Sequence, residues 1–188
     1  MTEEELKKHY ARSENLELVI TKEEIQKKID ELAVELEKDY KTKNPILIGV
    51  LNGSFIFMAD LIRRLELDCE VDFIKISSYA DSTRTSGTVR LIKDISADIT
   101  GRHVLIVEDI VDTGLTVRFL KRRMEESGTK SVEFVSLLFK ETEANAGVDI
   151  KYVGFHIPDR FVVGYGLDYA QRLRRLESIY AMRELPPV

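Results

Sequence analysis

Three short runs dominated by apolar residues, PILIGVL at 45–51, HVLIV at 103–107 and SVEFVSLLF at 131–139, most constrain how this chain can fold. A strand with one wet face alternates apolar and polar residues, whereas a strand covered on both faces reads as a nearly continuous apolar run. The first two runs are each followed by a glycine-bearing turn and a helical pattern. NGS precedes FIFMADLIRRL, and EDIVDTGLT leads into a helix that starts at about Thr116 and that Gly128 closes. Repeated strand, turn and helix predicts an α/β fold, with a central, mainly parallel twisted sheet flanked by helices. In such sheets ligands bind beyond the carboxyl ends of the strands.

The remaining pattern fits that frame. Residues 21–40 place Ile25, Ile29, Leu32, Leu36 and Tyr40 on one helical stripe, with Thr21 and Glu24 as a capping box. Strand-like runs recur at 69–79, 88–95, 152–157, 161–166 and 178–182. At 188 residues the chain suits one domain spanning 1–188. It holds one cysteine, Cys69, which excludes an intramolecular disulfide and a multi-cysteine metal site. His9, His103 and His156 are scattered without metal-ligand spacing and read as structural or surface residues. A polar N-terminus and the lack of a long apolar window predict a cytoplasmic protein with no membrane partner. The net charge of -5 gives no general attraction to nucleic acid, so none is expected as a partner.

The turn EDIVDTGLT poses a chemical question. Thr113, Gly114 and Thr116 lead into a helix start, where backbone N–H groups and hydroxyls make a phosphate cradle. Glu108, Asp109 and Asp112 crowd the same place with negative charge. No GxxxxGK[ST] or GxGxxG pattern occurs, so a nucleoside-triphosphate loop and a dinucleotide site are both unsupported. A sugar phosphate reconciles the two features. Vicinal hydroxyls donate to paired carboxylates, and Mg²⁺ can draw on the same acids while neutralising a diphosphate.

Two acids after an apolar strand, followed by D-T-G-x-T into a helix, resemble the phosphoribosyl pyrophosphate motif of the type I phosphoribosyltransferases. VLNGSFIFMADL at 50–61, SSY at 77–79, SLLFK ending at Lys140 and IPDRFVVGYGLDYAQRLR at 157–174 are similar to the hypoxanthine-guanine branch of that family. The likeness runs in order from about Ile46 to Tyr180. It implies the type I phosphoribosyltransferase fold, with a small hood built from terminal segments over the sheet. It also implies transfer of a phosphoribosyl group from phosphoribosyl pyrophosphate to a 6-oxopurine, in purine salvage, with Mg²⁺ as cofactor.

Residue by residue, the resemblance implies that Glu108 and Asp109 serve the ribose hydroxyls and metal. Asp112, Thr113, Gly114, Leu115 and Thr116 wrap the 5′-phosphate, and Asp112 is also the general base. For the purine it implies Phe161 as stacking face, Ile110 opposite it, Lys140 as donor to O6, the backbone of Val162 along the base edge, and Asp168 nearby. Asp168 also matches a second metal position. Leu51, Asn52 and Gly53, with a non-proline cis peptide, match a pyrophosphate loop, as do Ser78, Tyr79 and Arg174. A flexible lid is expected at about 78–88, and a homodimer or homotetramer is the usual assembly. Two other readings are a regulatory protein on the same fold that binds nucleotide and nucleic acid, and a receiver-like signalling domain. The latter lacks the early acidic cluster it would need.

Overall fold

The computed structural model of the chain describes residues 15–79 and 88–183. The first strand, β1 (Leu16–Ile20), runs into helix α1 (Lys22–Tyr40). The capping box forms as expected: the Thr21 side chain accepts from the Glu24 N–H, and the Glu24 carboxylate accepts from the Thr21 N–H at 2.8 Å. Next come β2 (Ile46–Leu51), α2 (Phe55–Ile62), β3 (Glu70–Tyr79), β4 (Thr88–Lys93), β5 (His103–Val111), α3 (Leu115–Glu126) and β6 (Ser131–Lys140). The chain closes through β7 (Tyr152–Ile157), β8 (Val162–Val163) and β9 (Ile179–Met182).

Six strands form one sheet in the order β4-β3-β2-β5-β6-β7, with only the β3–β4 pair antiparallel. Successive residues of the central strands face opposite layers. Leu47, Leu105, Val107, Val135 and Leu137 pack with Ile25, Ile29 and Leu36 of α1 and with Phe57 and Leu61 of α2. Their neighbours Ile46, Ile48, Val104, Ile106 and Phe134 pack with Val117, Leu120 and Met124 of α3. That two-sided burial is why the sequence shows continuous apolar runs instead of alternation. The expected hood is a second, antiparallel sheet, β1-β9-β8, which joins the two ends of the described chain.

Several boundaries differ from the sequence reading, each for a local reason. β5 continues four residues beyond HVLIV because its ladder with β6 persists through Glu108–Ser136, Ile110–Leu138 and Val111–Phe139. The acidic pair therefore stands within the strand's final residues. The run FVVGYG yields only the short β8, since Gly164, Tyr165 and Gly166 all take positive φ and turn the backbone away. β4 stops at Lys93, two residues early, where the Asp94 carboxylate accepts from the Ile95 N–H at 2.9 Å. α3 ends with Ser127 as its cap and Gly128 beyond it at φ 74°, as the closing glycine predicts. Among the described residues no helix is long and apolar enough to cross a membrane.

Candidate active site

The site lies beyond the carboxyl ends of β2, β5 and β6. Glu108 is 4% exposed, and its Oε1 has no hydrogen-bonding partner among the described residues. Burial, then the neighbouring Asp109 carboxylate, push the Glu108 carboxyl well above its ordinary range. Asp109 is raised to about 6, mainly by burial, against the lowering effect of its own N–H, the Ile110 N–H and the Arg174 charge. The loop after β2 presses on this pair. The Leu51–Asn52 peptide is cis, and a Cβ built on Gly53 would lie 1.5 Å from Asp109 Oδ2. Only glycine lets the backbone come so near a carboxylate.

Past Val111 the chain turns through Asp112, Thr113 and Gly114 into α3. Gly114 takes φ 71°, the left-handed conformation that non-glycine residues avoid, and the helix begins at the next residue. The first-turn N–H groups of α3 thus face the end of β5, a polarity that favours an anion. A cavity of about 290 Å³ opens here, lined by Leu51, Gly53, the run from Glu108 to Gly114, and Thr116.

A second cavity, of about 460 Å³, adjoins it and is lined by Asn52, Lys140, Phe161, Val162, Asp168 and Arg174 among others. Gly53, Asp109, Ile110 and Asp112 line both. Lys140, at the end of β6, is only 7% exposed. Its Nζ donates to Asp112 Oδ2 at 3.0 Å and to Asp159 Oδ1 at 3.2 Å. An ammonium has a third proton, and this cavity borders it. Phe161 is 38% exposed, an uncommon position for a large aromatic ring unless it has a surface to serve. The edge of Tyr169 meets it at a centroid distance of 6.2 Å and an interplanar angle of 83°. The adjacent Arg160 holds this loop to β1 by donating to both Glu17 carboxylate oxygens, at 2.9 and 2.8 Å.

Asp168 is already paired. One of its oxygens lies 2.7 Å from the Arg174 guanidinium, and the other accepts from the Gln171 N–H at 2.7 Å. Arg174 also donates to the Gly166 carbonyl at 2.7 Å. Among the described residues no three His, Cys, Asp or Glu side chains form a protein-only metal cage.

Most of the residues singled out in the sequence therefore converge. Leu115 is the exception: it lines neither cavity. Ser78 and Tyr79 end β3, but their side chains, like most of the proposed lid at 78–88, fall outside the described residues. Val50, Ile76, Val111 and Val117 in the first cavity and Leu167 in the second were not anticipated. Nor was Asp159, the second partner of Lys140. The apolar residues carry no signal that separates a cavity wall from ordinary core.

Comparison with known proteins gives this arrangement a lineage. Residues 19–170 match the family model described as a phosphoribosyl transferase domain. The chain belongs to that family. Within the phosphoribosyl transferases, it is 46% identical over 166 residues to the hypoxanthine-guanine phosphoribosyltransferase of Bacillus subtilis, covering 88% of this chain and 92% of the relative. It is 41% identical to the enzyme of the same name from Staphylococcus aureus, with 89% and 93% covered. A crystal structure of a hypoxanthine-guanine phosphoribosyltransferase from Bacillus anthracis, with a HEPES molecule in its active site, superposes with a TM-score of 0.84. That pair is 44% identical, over 88% of this chain and 98% of the other.

Proposed function

We propose that this protein transfers the 5-phosphoribosyl group of phosphoribosyl pyrophosphate to hypoxanthine or guanine, giving IMP or GMP and pyrophosphate, the reaction of purine salvage. The observation that carries the reading is the pair of joined cavities. One is built from a helix start and buried acids, the other from a lysine and an exposed aromatic ring, and Asp112 stands in both.

In this reading the 5′-phosphate sits on the turn formed by Asp112, Thr113, Gly114, Leu115 and Thr116, held by main-chain N–H groups and threonine hydroxyls. The ribose hydroxyls donate to Glu108 and Asp109, which supplies the partner that Glu108 Oε1 lacks. The purine stacks on Phe161 with Ile110 behind it. Lys140 donates to O6, Val162 meets the base edge through its backbone, and Asp168 completes that pocket. The pyrophosphate lies against Leu51, Asn52 and Gly53, with Ser78, Tyr79 and Arg174.

Bond breaking between C1′ and the pyrophosphate oxygen leaves positive charge on the sugar, and the carboxylates of Glu108 and Asp109 stabilise it where it develops. A purine nitrogen bonds to C1′, and Asp112 takes the proton that the base must lose. Lys140, 3.0 Å from Asp112 Oδ2, keeps that carboxylate oriented.

The residues fit Mg²⁺. An orphaned buried carboxylate oxygen and an adjacent acid raised by burial both call for a positive partner. Mg²⁺ is commonly held by one or two carboxylates together with substrate phosphates, so a closed protein cage is not required. Glu108 and Asp109 would hold it on the sugar side and Asp168 on the pyrophosphate side, where it would neutralise the leaving group's charge. We further read residues 1–188 as one domain with a lid at about 78–88, acting in the cytoplasm as a homodimer or homotetramer.

The test is direct. Purified protein, Mg²⁺ and phosphoribosyl pyrophosphate are incubated with hypoxanthine, guanine or xanthine, and nucleotide is measured by chromatography. Product should form with hypoxanthine or guanine and depend on Mg²⁺. No nucleotide from any 6-oxopurine would refute the reading, and salt-sensitive nucleic-acid binding in its place would favour a regulatory protein.

A further inference from the structure

We infer that Asn145, in the loop between β6 and β7, is a positioning residue for the reaction: it fixes the spacing between the Asp112 and Lys140 backbones. This rests on the roles proposed above for those two residues.

The pairing of β5 with β6 ends at Val111–Phe139, so Asp112 and Lys140 are the first residues past the ladder. Nothing in the strand register holds them side by side. Asn145, in a single 3₁₀ turn at Glu143–Asn145, lies 4% exposed at that point. Its Nδ2 donates to the Asp112 carbonyl at 2.8 Å and to the Lys140 carbonyl at 2.6 Å. Both neighbours are acceptors, so only the amide nitrogen, with its two protons, can bridge them. The side chain in effect extends the ladder by one rung, across the two residues whose side chains meet at 3.0 Å in the site.

The same loop supports the phosphate turn from beneath. A Cβ on Gly114 would meet Val148 Cγ2 at 2.5 Å and Asn145 Cβ at 3.4 Å, so the loop packs directly against the left-handed glycine. The Thr142 hydroxyl, 3.4 Å from the Asp112 carbonyl, adds a longer contact. A general base and a base-binding donor need placement to well within an ångström, and a 1 Å error can lower the rate by about 10²-fold.

The experiment compares wild type with Asn145→Leu, which keeps the volume and loses both donors, Asn145→Ser, which retains one hydroxyl donor, and Asn145→Asp, which keeps the shape but sets a carboxylate against two carbonyls. Steady-state kinetics for hypoxanthine and phosphoribosyl pyrophosphate are normalised to folded protein from thermal melts. We expect kcat to fall by about 10-fold or more for Leu and Asp and by about 3-fold for Ser, below each variant's melting range. A residue that only stabilised the fold would lower the midpoint and leave kcat per folded molecule unchanged. Any folded Leu or Asp variant with kcat within twofold of wild type would overturn the inference. Insolubility of all three would assign Asn145 to folding and overturn it as well. If wild type itself makes no nucleotide, the functional reading has failed, an outcome distinct from the loss of this one residue's role.

Discussion

Replacing Lys140 by methionine separates recognition of the purine from recognition of the sugar phosphate. Methionine keeps most of the volume and removes the ammonium. That ammonium makes two ion pairs in the free protein, to Asp112 at 3.0 Å and Asp159 at 3.2 Å. Their side chains are 52% and 69% exposed, so both carboxylates can rehydrate when the lysine is lost. Trading the charge for an apolar group should therefore change stability by no more than about 1 kcal/mol. For a chain of this size that moves the melting midpoint by about 2–4 °C.

The loss in function should be larger. A hydrogen bond from a charged donor is worth about 1.5–3 kcal/mol, so kcat/KM for hypoxanthine should fall by about 10- to 150-fold. In the proposed arrangement Lys140 makes no contact with phosphoribosyl pyrophosphate, so the KM for that substrate should stay within about threefold. The assay is initial-rate kinetics with each substrate varied at saturating levels of the other, beside a thermal melt. Equal losses for the two substrates, or none for hypoxanthine, would refute the assignment.

Other perturbations test other parts of the site. Asp112→Asn should lower kcat by about 10²–10⁴-fold with an unchanged melting midpoint, since general-base catalysis contributes on that scale; turnover within threefold of wild type would remove it from the mechanism. Burial raises the Asp109 pKa from its ordinary value of 3.8 to about 6. The folded state therefore binds a proton that the unfolded state has released, and the ligand-free protein should lose stability as pH rises from about 4 to about 6. Asp109→Asn should abolish that part of the pH dependence and melt higher than wild type above pH 6; parallel melting curves for the two proteins from pH 4 to 8 would contradict it. Gly53→Ala drives a methyl group into Asp109, so we expect destabilisation of about 2 kcal/mol or more and loss of turnover. Wild-type kinetics would show that the loop moves aside freely.

What could be read from the chain before its structure follows from how far each signal travels along it. The runs at 45–51, 103–107 and 131–139 carry their burial in their own composition, so the parallel sheet was legible. Gly114 and the hydroxyls around it signal the turn into α3 within five residues. The hood was accessible only through resemblance, because β1 pairs with β9 and no local pattern reports a partner so distant. The pairing of Asp168 with Arg174 likewise depends on a reversal of chain direction at Ala170 and Gln171, whose positive φ values have no glycine to announce them. Asn145 lies in ETEANAG, a stretch that reads as an ordinary polar loop. Its importance comes from two carbonyls on other segments, which only the folded chain brings within reach.

The hood has a consequence for biosynthesis. Leu16 faces Met182 across β1 and β9, and Glu17 grips Arg160 beside Phe161. On the ribosome the first strand emerges long before its partner exists, so it must wait, unpaired, while the central sheet forms behind it. The turn from Asp112 to Thr116 is encoded by residues finished early, and the cavity lined by Phe161 and Val162 is completed only when β9 pairs with β1 and β8. A chain released before Ile179 would carry the Gly114 turn in full and lack the strand that holds Val162, one wall of the second cavity.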